Sequence, residues 1–401
     1  MPEKRKTAFN SNVSAGGQPH STFDYIITGA GCAGLSLLMH GLKAGLFQHK
    51  KILLIDKDAK GTNDRTWCFW EQGEGLFQPI VKKEWPALWF HAEGFSKKLE
   101  ITPYKYKLIR GLDFYRYCFE EIEKHPNILF LNANVETLFS DAASGTGVVA
   151  GGNTYYSQKI FNSILFQKPI LEKKHFWLLQ HFKGWFIETT TPQFDETVGT
   201  LMDFRTDQQH GATFFYVLPF SPTQALVEYT LFSKALLPDK AYEAALKNYI
   251  SETLCINTYE VKEREFGIIP MTNHPFLPPQ NNIIHMGTAG GNTKGSSGYT
   301  FRFIQKNVQA LVAALSKEQP FSKPHAQKRF AFYDSVLLHV LHHQTMPGAA
   351  IFTDMFKKNR PQQVLKFLDN ETSLPEDFAI INTLPTAPFL KAAIGQIVPF
   401  G

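Results

Sequence analysis

Three glycines, Gly29, Gly31 and Gly34, stand in the run GAGCAG with the G-x-G-x-x-G spacing of a dinucleotide-carrying loop. The first glycine permits a tight turn, the second lets backbone approach a pyrophosphate, and the third lets helix and strand pack closely. The phosphates then meet the unpaired N–H groups and the positive dipole end of the following helix. An acidic residue is needed about 20 residues on, at the end of the next strand, to take ribose hydroxyls, and Asp56 stands there. A second glycine-rich passage holds Gly287, Gly290, Gly295 and Gly298, whose backbone N–H groups can cradle another part of the same cofactor.

For this chemistry the glycines must lie between a strand and a helix. FDYIIT (23–28) is a short apolar strand, CAGLSLLMHGLKAGL has helical length, and KILLID (51–56) is a second buried strand, which predicts a nucleotide-binding β-turn-helix-β unit. The stretch 64–107 is aromatic and broken. A helix is expected over 112–124, with strands over 128–131 and 157–166. From Phe182 strand-like runs follow in quick succession (GWFIETT, VGTLMDF, GATFFYVLPF, QALVEYTLF), which predicts an antiparallel sheet. A helix over 242–250 and a strand over 263–269 come next. NIIHM (282–286), the second glycine loop and a helix over 301–315 return the chain to the first lobe, and helices are expected over 330–341 and 362–368.

The expected fold class is α/β: a Rossmann-type nucleotide domain (22–170 and 278–325), an inserted antiparallel-sheet substrate domain (171–277) and a helical C-terminal region (326–401), after a flexible tail at 1–21. The glycine motif alone leaves flavin and nicotinamide dinucleotides open. An early fingerprint, an inserted sheet and a distal glycine loop favour FAD.

Composition narrows the function. The 401 residues carry a formal net charge of +5, too diffuse for a nucleic-acid groove and compatible with an anionic membrane surface. Cys32, Cys68, Cys118 and Cys255 are far apart, without paired metal spacing, so a reducing cytoplasm is expected. His339, His342 and His343 mimic a metal cluster, but no carboxylates at ligand spacing accompany them; they are read as solvated or interfacial, and no metal is expected. From Phe378 to Gly401 the only charge is Lys391, which suits packing on the core or docking against a membrane. Thirty-five phenylalanines help bring aromatics to 14%. Much of that excess reads as ordinary core, but Phe204, Phe214, Phe215, Phe220 and Phe232 crowd the inserted sheet, and Phe378, Phe389 and Phe400 dot the nearly uncharged tail.

The segment 201–232 resembles the lycopene cyclase family of carotenoid biosynthesis: Met202, Asp203 and Phe204; Asp207 and Gln208; Gly211, Phe214, Tyr216, Leu218 and Pro219; then Glu228 and Thr230. Arg65, Thr66 and Trp67, the Ile269-Pro270-Met271 element and the loop GNTKGSSGYTF extend the resemblance over most of Phe23 to Phe303. It implies a flavoprotein monooxygenase-like fold, with reduced FAD acting without net electron transfer and NAD(P)H as reductant. The implied reaction closes the ends of lycopene through γ-carotene to β-carotene, on a protein held peripherally at the inner membrane. Glu228 is the implied proton donor, Asp203 a more distant partner, and Arg65 a flavin contact or part of the wall of a substrate tunnel, which the phenylalanines of the inserted sheet would line while those of the tail face lipid. Two departures stand out: the distal loop begins Gly287-Thr288 where monooxygenases carry Gly-Asp, and Tyr229 follows Glu228 where the family often has a second acid. An NAD(P)H-linked flavin monooxygenase or polyprenyl reductase on the same fold, and a non-catalytic carotenoid carrier, are the alternatives.

Overall fold

The computed structural model describes residues 22–276, 279–321 and 328–397; the tail expected at 1–21 and Phe400 lie outside them. β1 (Thr22–Thr28), α1 (Cys32–Lys43) and β2 (Ile52–Asp56) form the anticipated unit, with β1 and β2 parallel from Tyr25↔Ile52 to Thr28↔Ile55. Buried on both faces, ILLID reads as a continuous apolar run for that reason. The broken aromatic stretch folds as strands: β3 (Thr66–Gln72), β4 (Lys83–Trp85), β5 (Ala87–Ala92), β6 (Phe95–Glu100) and β7 (Tyr104–Arg110). Next come α2 (Gly111–Ile122), β8 (Ile128–Asn132), the hairpin of β9 (Val135–Asp141) and β10 (Gly145–Ala150), and β11 (Asn153–Asn162).

The second lobe contains β12 (Trp177–Glu188), β13 (Val198–Asp203), β14 (Ala212–Ser221), β15 (Gln224–Ser233), α3 (Asp239–Asn248) and β16 (Glu260–Thr272). Then β17 (Ile283–His285) pairs in parallel with β11, returning the chain to the first sheet, whose main path is β8-β2-β1-β11-β10-β9. α4 (Phe301–Ser316) buries Ile304, Val308 and Leu311 in the core cluster that also holds Leu35 and Leu38 of α1. Five helices follow: α5 (Lys328–His343), α6 (Gly348–Lys358), α7 (Pro361–Leu368), α8 (Leu374–Ile381) and α9 (Thr386–Ile397).

The second sheet runs β16-β12-β15-β14-β13-β5-β6. Its last two strands come from residues 87–100, within the stretch that sequence alone assigns to the nucleotide lobe, so hydrogen bonding ties the two lobes together. Strand alternation gives this sheet two distinct faces. One carries Phe215, Val227 and Tyr229 and is covered by Tyr242 and Leu246 of α3 with Tyr249 just beyond it. The other carries Phe214, Tyr216 and Leu226; it packs on Trp70 and Tyr106 of the three-stranded β3-β7-β4 sheet and on Ile351, Phe352 and Met355 of α6. Each ring buried here contributes roughly 1.5–3 kcal/mol, so much of the phenylalanine excess is accounted for by core packing.

Candidate active site

At the first glycine turn, Gly29 has φ +94°, and a Cβ there would lie 2.3 Å from Ser163 Oγ. A Cβ on Gly34 would lie 2.1 Å from the Gly29 carbonyl oxygen, so only glycine lets α1 sit this close to the turn. Gly31 differs: among the described residues a Cβ there meets nothing within 4 Å, and no side chain caps α1. The N-terminus of α1 is therefore a cradle open to an anion. Asp56 lies beneath it, accepting the Ala30 N–H on Oδ2 at 2.7 Å and the Asp58 N–H on Oδ1 at 2.8 Å, with Lys60 Nζ at 3.2 Å. A ribose would have to share these oxygens. Arg65 is ion-paired with Asp64 at 2.7 Å and lies close enough to Cys32, at the start of α1, for its charge to be felt there.

The distal loop bridges the two lobes. A Cβ on Gly287 would lie 2.9 Å from that of Ala33 in α1, and one on Gly290 would meet the His285 carbonyl oxygen at 2.4 Å. Farther along, Gly295 packs on the Thr272 carbonyl at the end of β16, and Gly298 on the Gln180 side chain of β12. The loop thus begins at the α1 cradle and ends at the second sheet, where Gly298, Tyr299 and Thr300 line a cavity of about 80 Å³ together with Glu228. A dinucleotide with its pyrophosphate at α1 fits this arrangement.

Glu228 projects into that cavity from β15, surrounded by Trp67, Tyr106, Phe182, Tyr216, Leu226, Ile269 and Tyr299. Its Oε1 accepts the Thr230 hydroxyl at 3.0 Å. Burial first, and then the neighbouring Glu265 charge, push its proton affinity well above the ordinary carboxylate range. Glu265, buried on β16, is the residue that sequence reasoning missed: it accepts the Thr66 hydroxyl on Oε2 at 2.6 Å. Burial raises its pKa too, against the opposing effect of the Thr66 hydrogen bond. In sequence it is one charge among several in a strand leading into Ile269-Pro270-Met271, and only strand pairing sets it opposite Gly184 of GWFIETT.

Asp203 is not brought to Glu228. It pairs in register with Phe215, on the α3-covered face, whereas Glu228 pairs with Tyr216 on the other. There Arg205 binds both its oxygens at 2.9 and 2.6 Å, and the Tyr249 hydroxyl donates at 2.7 Å. Burial works against its charge, but these partners outweigh it and hold the carboxyl below its usual range. Such a group contributes stability above its unfolded pKa, and the contribution is lost as pH falls through the folded value. Asp203→Ala should therefore cost about 2 kcal/mol in urea unfolding at neutral pH, by stranding Tyr249 and one side of Arg205, and should narrow the stability difference from wild type in acid. Phe215 likewise leaves the expected tunnel: it stacks on Tyr249 at 3.8 Å, on the far side of the sheet from Glu228. The three C-terminal histidines pack around Phe176 at 5.1–5.6 Å; among the described residues no group of three or more His, Cys, Asp or Glu side chains could hold a metal ion.

Among solved structures, a flavoprotein/dehydrogenase from Cytophaga hutchinsonii superposes with a TM-score of 0.64 at 11% identity, covering 94% of this chain and 99% of that one. A geranylgeranyl bacteriochlorophyll reductase-like protein from Thermoplasma acidophilum gives 0.58 at 11% identity, over 95% and 98% of the two chains. The fold is therefore α/β, a Rossmann-type domain with an antiparallel sheet lobe and a helical C-terminus, shared with these two proteins over nearly their whole length. A lycopene beta-cyclase of Pantoea ananas is 28% identical over 338 residues, 78% of this chain and 79% of that protein. One of a Paracoccus strain is 27% identical over 262 residues, 62% and 61% of the two. The family model described as lycopene cyclase protein matches residues 24–394, and the chain belongs to that family, whose enzymes act in carotenoid cyclisation.

Proposed function

We propose that the protein is a lycopene β-cyclase, closing both ends of lycopene through γ-carotene to β-carotene. The observation that carries this reading is Glu228, a carboxyl with raised proton affinity in an aromatic cavity. A terminal alkene is a poor base, so its protonation needs an acid kept neutral until used, and an apolar site provides that. The Glu228 O–H bond breaks as a C–H bond forms, leaving a tertiary cation. The neighbouring double bond attacks it and closes a six-membered ring, and loss of a proton sets the ring double bond. Composition is unchanged. The rings of Tyr106, Tyr216, Tyr299, Trp67 and Phe182 exclude water and offer π faces to the cation.

The α1 N-terminus with Gly29, Gly31 and Gly34, and the loop carrying Gly287, Gly290, Gly295 and Gly298, would hold FAD, with Asp56 at the ribose and Arg65 beside the phosphates. Bound and kept reduced by NAD(P)H, FAD supplies negative charge that favours the cation electrostatically. The test is an anaerobic incubation with lycopene and chemically reduced FAD: a cyclase yields cyclic product of unchanged mass, whereas a mass change identifies a reductase or oxygenase and overturns the proposal.

The substrate lives in lipid, and among the described residues no helix is long and apolar enough to cross a membrane. Peripheral docking at the inner membrane is supported by two i,i+4 pairs: Leu374 and Phe378 on α8, 53% and 59% exposed, and Leu390 and Ile394 on α9, 56% and 46% exposed. Each pair puts two apolar side chains on one helix surface. Leu374→Ser with Phe378→Ser should lower co-sedimentation with anionic vesicles at least about fivefold while leaving turnover of detergent-solubilised lycopene unchanged, since burying one such side chain is worth roughly 1.5–3 kcal/mol.

A further inference from the structure

Glu228 and Glu265 lie on strands that are not neighbours. β12 runs between them, and the register places Glu228, Gly184 and Glu265 in one row across the sheet. Strands are about 4.7–4.9 Å apart, so the two backbones are separated by two such spacings, and a side chain on the middle strand would stand between the carboxyls. Gly184 puts no side chain there, and Glu265 and Leu226 close over it instead, Leu226 Cδ1 lying 2.9 Å from where a Cβ would stand. A Cβ there would lie 2.9 Å from Glu265 Cγ and 3.1 Å from Glu265 Oε1, so the Glu265 side chain leans over the glycine towards Glu228. Its Oε2 is held by Thr66, while Oε1, the atom over Gly184, is buried and has no partner among the described residues other than the Glu228 carboxyl, with which it makes a side-chain hydrogen bond.

We propose that Glu265 is the positioning partner of Glu228, the two carboxyls sharing a single proton across the gap at Gly184. The proposal rests on the cyclase reading of Glu228. Two carboxylates this close in an enclosed site do not both stay ionised. The titratable and charged groups facing the pair are Cys68 on β3, Tyr106 on β7, Tyr216 on β14, Tyr299 on the distal loop, and Arg110, which is itself paired with Glu263. Thr66 donates to Glu265 and Arg110 favours its charge, so Glu265 is the anion and Glu228 carries the proton. When the Glu228 proton passes to the alkene, both carboxylates are charged and sit beside the cation. After ring closure the C–H bond at the ring breaks, its electron pair becomes the ring double bond, and the proton returns to the pair. No oxidant or reductant is consumed.

The experiment is a pH series on wild type, Glu265→Gln and Gly184→Ala, reading kcat for lycopene with reduced FAD. In parallel, infrared difference spectra of the same proteins without substrate follow the protonated carboxyl C=O band. Activity is lost as pH rises through the Glu228 pKa. Removing the neighbouring negative charge lowers that pKa, so in Glu265→Gln both the activity loss and the band's midpoint should move down by about one unit or more, a roughly tenfold loss of activity on the alkaline limb. Gly184→Ala keeps both acids but crowds the Glu265 side chain and Leu226 Cδ1, both 2.9 Å from the added Cβ, and by pushing Glu265 off the gap should shift the same midpoints downward even if Glu265→Gln folds poorly. A lower kcat with both midpoints unchanged in the two variants would overturn the proposal. Infrared midpoints that shift as expected in a protein that forms no cyclic product would support the carboxyl pair and overturn the cyclase reading.

Discussion

Glu228→Gln is expected to give a folded, flavin-retaining protein whose cyclisation rate is down by a factor of roughly 10²–10⁴, the usual contribution of a positioned general acid. The substitution is nearly isosteric. Glutamine keeps an oxygen to accept the Thr230 hydroxyl now bound at 3.0 Å, and it replaces a neutral acid with a neutral amide, so little stability should be lost. What disappears is the transferable proton. Glu228→Asp retains the proton but draws it back by one methylene, and a misplacement of about 1 Å can cost 10²-fold; it should therefore fall between wild type and Glu228→Gln. Pigment chromatography after anaerobic incubation reads both. Full cyclisation by Glu228→Gln would remove this residue from the mechanism.

The parts of the molecule legible in sequence are those set by short-range constraints. GAGCAG, the strands either side of α1 and Asp56 fix one another within 35 residues, and each lies where its spacing requires. The strands at 87–100 were not legible in this way. ALWFHA reads only as an aromatic run, and its place in the second sheet depends on pairing with β13, Val198↔Ala87 onward, more than a hundred residues away. The same non-locality hid Glu265. In EVKEREFG the charges at 262–265 look like a solvated face, and only pairing opposite Gly184, with Thr66 arriving from β3, makes one of them a buried acid. Asp203 is the reverse case: its motif marked it, but strand parity set it on the opposite face from Glu228. Parity also bears on the expected tunnel, since Phe214 and Phe215 are adjacent on one strand and must point to opposite faces.

Gly31→Val and Gly34→Val should separate two kinds of glycine in one motif. Gly34 is small because the protein itself fills the space: its Cβ would fall 2.1 Å from the Gly29 carbonyl oxygen and 3.2 Å from Ile27 Cγ2. α1 would have to move off β1, so Gly34→Val should lose both flavin and about 1–3 kcal/mol or more of stability. A Cβ on Gly31 would meet nothing within 4 Å among the described residues, and its backbone, φ −88° and ψ −166°, is extended and open to any residue. Gly31→Val should therefore cost the apoprotein no more than about 1 kcal/mol in urea unfolding, the difference between glycine and valine at the N-cap of α1. Its flavin content, read from the absorbance of bound cofactor after gel filtration, should nevertheless fall at least about tenfold, because the added methyls occupy the approach of a pyrophosphate to the α1 N-terminus. Wild-type flavin content in Gly31→Val would mean that the phosphates do not lie over this turn, and the path from α1 along the distal loop to Glu228 would need another starting point.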